Sequence, residues 1–512
     1  MTNARPLMIQ GTTSSAGKSL VTAGLCRIFH QDGHAVAPFK SQNMALNSYI
    51  TLDGLEMGRA QVLQAQACGL EPQVDMNPIL LKPTGEMGSQ LIVNGEVRGQ
   101  FGAIEYFRMK KDLIPDILAA YGRLSAGREI IVLEGAGSPA EINLKQDDIV
   151  NMGMARMVDA PVLLVGDIDR GGVFASLYGT LSLLEPEERQ RVKGLIINKF
   201  RGDVRILQPG LRMLEDLTGV PVLGVIPMLP LQLDDEDGEA DRLRRNPIAR
   251  PDQLDIAVIR LPRLSNFTDF NVLDLVPDVR LRYVQRVSEL GQPDLIILPG
   301  SKNTLADLDW LRESGLAAAI SERSSAGTPV AGICGGYQML GEELLDPFGV
   351  EQGGRCSGLG LLPGRTTFSQ AKTRTRIQGQ LLDGAGHDWA GLGAAAGLAV
   401  TGYEIHMGQT EISDRHAAAP LLRLADGRED GMVRSDGLVW GSYLHGFFDN
   451  TELLGQLLRR LWQRKDPAHG FDSAAIAAID VAARREQDLD RLADALRSAL
   501  DLPAIYRLLG PM

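Results

Sequence analysis

The chain has 512 residues, 44% of them hydrophobic and 23% charged, with a formal net charge of -12. That length leaves room for two or three α/β domains, and the acidic surplus argues against nucleic acid or an anionic membrane as partners. Four cysteines without paired spacing make neither a disulfide framework nor a zinc site, and the opening MTNARPLMIQGTT has no signal-like apolar core, so a reducing cytoplasm is the expected compartment.

In chain order, the first element is PLMIQGTTSSAGKSLVTAGLCRIF, a short strand, a Gly/Ser/Thr loop and a helix with Val21, Leu25, Ile28 and Phe29 on one side. The loop Gly11, Thr12, Thr13, Ser14, Ser15, Ala16, Gly17, Lys18, Ser19 has the makings of a nucleoside-triphosphate cradle. Backbone N–H groups and the helix N-terminus meet phosphate oxygens, Lys18 neutralises charge, and the Ser19 hydroxyl is placed for Mg²⁺. The first glycine of the common G-x-x-x-x-G-K-S pattern would fall at Thr12 but stands at Gly11, so the loop is one residue longer. Lys40, after the strand-like VAPF, is placed to reach a phosphate or a substrate carboxylate. Hard cations take oxygen ligands, and two acids sit where strand ends would put them. These are Asp53 in TLDGLEMGRAQ and Glu134 closing EIIVLEGAG. Asn198 follows the run GLII.

Short apolar runs, among them EIIVLEGAG, PVLLVGDID and GLIINKF, alternate with amphipathic segments through residue 232, which is the pattern of a doubly wound parallel sheet. Residues 233–253, acidic and then basic with proline, are the expected linker. A second strand series starts at LDIAVIRLP and predicts another doubly wound domain over 254–449, and a helical C-terminal extension follows over 450–512. Its helix DVAARREQDLDRLADALRSAL is expected to pack one face and leave a charged face in solvent.

The second domain holds the clearest chemistry. In AGICGGYQMLG, Cys334 sits in a Gly-rich turn after an apolar run, the way a nucleophile is lifted off a sheet with the following amides facing a developing oxyanion. Its candidate base is His445 in GLVWGSYLHGFF, and His406 in TGYEIHMG ranks second. His30 and His34 flank a helix end, and His387, His416 and His469 fall in loops.

The Cys334 turn, the Leu-Pro-Gly-Ser turn at Leu298–Ser301 and YLHG resemble a class I glutamine amidotransferase domain. The resemblance implies glutamine hydrolysis, with Gly300, Ser301 and the Gly335 N–H lining the oxyanion hole. Where that family has a Glu two residues after the histidine, this chain has Phe447, as in the cobyrinate-amidase branch, so the third triad member is missing or comes from elsewhere. The phosphate loop resembles that of dethiobiotin synthetase. By that likeness Ser19, Asp53 and Glu134 would bind Mg²⁺, and Asn198 with Lys199 would read the nucleotide base. The strings APFKSQNMALNSYITLDGLEMGRAQ, DMNPILLKP, EGAGSPAEINL and GSYLHGFF resemble the cobyric acid synthase family over nearly the whole chain. Ser41 departs from the Pro that family usually has after its PFK segment. Implied are ATP, Mg²⁺ and glutamine, and amidation of the b, d, e and g carboxylates of a corrinoid, adenosylcobyrinic acid a,c-diamide. Two other readings stay open: a cobyrinic acid a,c-diamide synthase, and a nucleotide-switched binding protein with an inactive amidotransferase-like domain. Oligomeric state is left open.

Overall fold

The computed structural model describes residues 4–84, 88–231, 233, 243, 250–382, 396–468 and 470–511. Most of the expected linker, together with His387 and His469, lies outside the described residues.

Two doubly wound α/β bodies are present, as the alternation of runs implies. The N-terminal sheet has six parallel strands in the order Val222–Pro227, Val192–Phe200, Val162–Asp167, Arg5–Gly11, Ile130–Glu134, Val36–Phe39. Its central strands are apolar over most of their length because helices cover both faces, with Glu134 and Asp167 only at strand ends; every residue of Ile130–Glu134 is buried. Arg5–Gly11 lies in the middle, so the loop after it and Glu134 at the end of the neighbouring strand open at the same sheet edge. That is the edge where open α/β sheets bind ligands.

The second body places Val279–Val284, Leu254–Ile259, Leu295–Leu298, Val330–Ile333 and Val439–Ser442 side by side in parallel. Antiparallel strands, including the long Gly364–Leu381, extend that sheet on the Val439–Ser442 side. A small separate sheet, Gln42–Met44, Ile79–Pro83, Gly88–Val93 and Glu96–Gly102, projects from the N-terminal body against the second one.

Residues 450–512 form the expected helical tail, and it packs on both bodies. Helix Thr451–Lys465 buries Leu453, Leu457, Leu461 and Trp462 in the core of the second body. Helix Val481–Ala499 returns to the first, where Leu489, Leu492 and Leu496 join Val21, Leu25 and Ile28 in one cluster. At about 2 kcal/mol per buried leucine, that seam ties the C-terminus firmly to the N-terminal helix Lys18–Gln31. Arg27 reinforces it through Glu486 and Asp490 at 2.7 and 2.8 Å. The amphipathic period is visible in the sequence, but the partner face, more than four hundred residues away, is not.

Candidate functional site

Cys334 ends strand Val330–Ile333 and heads helix Gly335–Leu340. Its φ of 51° and ψ of -109° put a non-glycine residue in a region that costs of order 1–3 kcal/mol, strain that the surrounding structure has to hold. The turn fits because its neighbours lack side chains: a Cβ on Gly336 would stand 1.9 Å from the Leu298 carbonyl oxygen. Cys334 Sγ lies 3.7 Å from the Ile405 carbonyl oxygen and is hydrogen-bonded to the His445 ring.

His445 follows strand Val439–Ser442 and stacks on Tyr403, ring centroids 5.1 Å apart. The acid that Phe447 does not supply comes from the start of the second body. Asp269, on the 3₁₀ helix Phe267–Leu275, has Oδ2 2.7 Å from His445 Nδ1, and its Oδ1 accepts from Gly446 N at 3.2 Å. With Nδ1 tied to Asp269, Nε2 is the nitrogen left for the thiol. Burial works against the imidazolium, but the Asp269 carboxylate and the Cys334 sulfur outweigh it and hold His445 protonated up to about 10. Asp269 is the residue that sequence reasoning missed; its only signal is a single acid between Phe267 and Phe270 in the run NFTDFNVL.

The two-stranded pair Leu264–Ser265 and Gly300–Ser301 carries the turn expected to line an oxyanion site. Its register sets Ser265 opposite Gly300 and Leu264 opposite Ser301, and Lys302 N donates to the Arg263 carbonyl. Antiparallel alternation then turns the Ser301 N–H away from its partner strand. On that side a Cβ at Gly335 would be 2.8 Å from Ser301 N, so the two amides lie close together. Gly300 departs from the expected oxyanion role, because the same register engages its amide with Ser265; a Cβ there would stand 3.5 Å from the His445 ring.

His406 lies in the same cavity but is otherwise engaged. Its Nδ1 is 2.7 Å from the Gly408 carbonyl, its Nε2 3.4 Å from Glu404, and its ring stacks on Tyr443 at 3.7 Å.

The loop 11–19 sits at the sheet edge as expected. Gly17, with φ 93°, caps helix Lys18–Gln31, and a Cβ there would meet Asn198 Nδ2 at 2.1 Å, so both conformation and space demand glycine. Lys18 Nζ donates to the carbonyls of Thr13, Ser14 and Gly137 at 2.9, 3.0 and 3.2 Å. Ser19 Oγ donates to Glu134 Oε1 at 2.7 Å, and Lys40 Nζ to the same oxygen at 2.8 Å. Gln64 Nε2 holds Glu134 Oε2 at 2.5 Å. Four of the expected residues, Lys18, Ser19, Lys40 and Glu134, are thus gathered in one neighbourhood. Asn198 braces the loop by donating to the Ala16 carbonyl at 3.0 Å, and Lys199 Nζ bridges the Ser15 carbonyl and Asp167, each at 2.8 Å.

Asp53 is not part of this group. It is exposed in the turn between Ser48–Ile50 and Glu56–Gly58, accepts from Thr51 Oγ1 at 2.6 Å, and neighbours the second body through Gly54 and Arg374. A strand-end acid was expected there, but TLDG folds as a hairpin tip in which the carboxylate satisfies its own turn. Among the described residues no cluster of three or more His, Cys, Asp and Glu side chains is suited to hold a metal ion. A divalent cation at this edge would therefore rely on Ser19, Glu134 and phosphate oxygens, a donor set that suits Mg²⁺.

Two cavities connect these sites to the seam between the bodies. One, of about 170 Å³, is lined by Cys334, His445 and Ser301 from the second body and by Lys82 and Gln90 from the first. The other, of about 940 Å³, runs from Ser14, Lys18 and Lys40 past Tyr106 to Arg260 and Leu264. Gly88 lines both, and strand alternation turns Lys82 to the first while Leu81 and Pro83 face the second. At the seam Lys82 and Lys372, one from each body, clasp Glu56 at 2.8 and 2.6 Å. Burial opposes ionisation of Glu56, but the two lysines override it and hold the carboxyl well below the usual carboxylate range. Asn47 and Ser48 dock on the turn before Asp269, Asn47 Oδ1 accepting from Phe267 N at 3.2 Å and Ser48 N donating to Asn266 Oδ1 at 3.0 Å. The segment SQNMALNS therefore braces the second body's turn that leads to Asp269.

Comparison with known proteins finds two matching family models. One describes the CobQ/CobB/MinD/ParA nucleotide binding domain and covers residues 7–235. The other describes the CobB/CobQ-like glutamine amidotransferase domain and covers residues 255–453. The chain is 54% identical to the cobyric acid synthase of Ruminiclostridium cellulolyticum over 512 residues, covering 99% of this chain and 97% of that one. It is 53% identical to the cobyric acid synthase of Lachnoclostridium phytofermentans, covering 99% of each. It is 54% identical to that of Klebsiella pneumoniae subsp. pneumoniae, covering 98% of each.

Proposed function

The chain belongs to the cobyric acid synthase family, and from that premise we propose how its two bodies divide the work of making amides. It is a glutamine-dependent, ATP-using amide-forming ligase of cobalamin biosynthesis. The observation that best supports the division of labour is the adjacency of the two cavities, with Gly88 in the lining of both.

In the smaller cavity, the Cys334 thiolate attacks the side-chain amide carbon of glutamine, and the oxyanion takes hydrogen bonds from the Ser301 and Gly335 amides. His445, held as imidazolium by Asp269, gives its proton to the departing nitrogen, which leaves as ammonia. The neutral imidazole then takes a proton from water, and the resulting hydroxide cleaves the thioester to glutamate.

In the larger cavity, a corrinoid carboxylate takes the γ-phosphoryl group of ATP and becomes an acyl phosphate, with ADP leaving. Ammonia attacks that carbonyl, loses a proton, and expels phosphate to leave the amide. Lys18 turns from the carbonyls of its own loop to phosphate oxygens, and Lys40 shares the neutralisation of charge with it. Ser19 and Glu134 are the proposed holders of Mg²⁺, which when bound would neutralise charge on the reacting phosphates. Asn198 keeps the loop in shape, and base recognition is proposed to fall to it and Lys199.

The substrate class is a corrinoid acid, proposed to be the a,c-diamide with its b, d, e and g carboxylates as the sites amidated. Product masses after incubation with ATP, glutamine and corrinoid acids test this. A ladder of four successive amides on the a,c-diamide is expected. Consumption of only the unamidated acid, ending at two amides, would overturn the substrate assignment.

A further inference from the structure

Of the ionisable groups in the smaller cavity that the mechanism does not use, Lys302 and Glu351 have no oppositely charged side chain within ion-pair distance among the described residues, whereas His406, Lys82 and Lys372 are engaged by Glu404 and Glu56. Lys302 follows Ser301 directly, and among the described residues its ammonium hydrogen-bonds a neutral group, Gln90 Oε1, at 3.2 Å. Among the described residues no carboxylate lies within ion-pair distance of it. Glu351 accepts from Leu305 N at 2.9 Å and is also hydrogen-bonded by Thr304, yet it has no cation within ion-pair distance among the described residues. Such charges are costly to shield from water and favour a ligand that completes them. The neighbouring lysines 82 and 372 differ, because both are already satisfied by Glu56.

We propose that Lys302 and Glu351 are the residues that select glutamine as a free amino acid, Lys302 holding its α-carboxylate and Glu351 its α-ammonium while its side-chain amide lies at Cys334. The cavity has opposite unpaired charges and a nucleophile in one enclosure of about 170 Å³, which suits a small zwitterion with an amide at one end. Glu351 opposes Lys302 in charge without pairing with it, so a ligand bearing both charges fits where a singly charged one leaves one group unmet. Burial, aided by Lys372 and Lys82, pushes the Lys302 ammonium down to about 7, and burial pushes the Glu351 carboxyl up to about 7. Each charged form is therefore poorly supported until a counter-charge arrives. Lys302 is held by Gln90 of the first body, so the activating domain helps to complete the glutamine site.

The proposal rests on glutamine hydrolysis at Cys334 and is tested with two truncated analogues as inhibitors of that hydrolysis in the full-length protein. One is 4-carbamoylbutanoate, which lacks the α-ammonium, and the other is 4-aminobutanamide, which lacks the α-carboxylate. Lys302→Met is expected to raise KM for glutamine about 50-fold, with a smaller effect on kcat, and to raise the inhibition constant of 4-carbamoylbutanoate by a similar factor. The inhibition constant of 4-aminobutanamide should move by no more than about twofold, since that analogue offers Lys302 nothing to bind. Glu351→Gln should give the mirror image. The conservative Lys302→Arg and Glu351→Asp variants should recover part of each loss, and they carry the test if the first pair fails to fold. A parallel shift of both analogues in either variant, as loss of a mere helix cap at Leu305 would give, overturns the assignment, as does a glutamine KM within about threefold of wild type. Absence of glutamine hydrolysis in the wild-type protein would instead strike at the glutaminase reading beneath it.

Discussion

The two sites of this molecule are prepared for their chemistry in opposite ways. At Cys334 the groups proposed for catalysis already engage one another: the sulfur with His445, and His445 with Asp269 at 2.7 Å. At the phosphate loop the charged groups are engaged with their own surroundings, Lys18 with three loop carbonyls and Glu134 with Lys40 and Ser19. The difference follows from where the charge comes from. A sulfur, an imidazole and a carboxylate can hold one another in a chain before substrate arrives, whereas the charges of a phosphate cradle must be kept tolerable until a polyanion exchanges with the groups that hold it.

That contrast breaks most sharply at Lys18. Lys18→Ala should lower amide formation at least about 10³-fold with either glutamine or ammonium as nitrogen source, because activation precedes attack by nitrogen. Glu134→Gln should approach the same loss, while Asp53→Asn, at its exposed hairpin, should stay within about threefold. Steady-state amide synthesis with both nitrogen sources measures all three, and an Asp53 effect as large as that of Glu134 would reinstate it in the site.

Asp269→Asn probes the prepared side. It should cut glutamine hydrolysis about 10² to 10⁴-fold by removing the group that orients His445. The carboxylate also raises the histidine's pKa, so without it the alkaline limb of the pH profile, expected near 10 in the wild type as the imidazolium is lost, should move to lower pH. A limb that stays in place would mean that Asp269 does not hold the ring's proton.

The smallest effect concerns the seam. Glu56→Gln leaves Lys82 and Lys372 buried without their shared carboxylate and should cost about 3–5 kcal/mol of stability in denaturant titration. A carboxyl held below its ordinary range stabilises above that range and loses its contribution as pH falls through it toward the depressed value, so the wild-type advantage over this variant should shrink on acidification.

Legibility in the sequence follows the same divide. The phosphate loop is contiguous, nine residues from Gly11 to Ser19, so strand, loop, lysine and helix could be read directly, and the alternation of apolar runs gave the doubly wound class. The glutaminase site draws on positions near 269, 301, 334 and 445, and only the glycine-rich turn and the histidine carry a local mark. Asp269 has only the faint mark of an acid set between phenylalanines, because its role depends on the docking of Phe267–Leu275 beside His445. Asp53 shows the converse: a local pattern suggested a ligand, and the hairpin used the carboxylate for itself. The partners of Glu134, Gln61 and Gln64, sit one turn apart on helix Arg59–Ala67 and become meaningful only once that helix is laid beside the sheet edge.

The central claim, that one body releases ammonia and the other consumes it, is tested most directly by amide synthesis in Cys334→Ser. Glutamine-dependent synthesis should fall at least about 10³-fold, since a serine hydroxyl is a far weaker nucleophile near neutral pH than a thiolate. Ammonium chloride should restore synthesis, increasingly as pH rises and more of it is present as NH₃, while Lys18→Ala remains inactive under the same conditions. Full glutamine-dependent activity in Cys334→Ser, or no ammonium rescue in a folded variant that still binds ATP, would contradict the account.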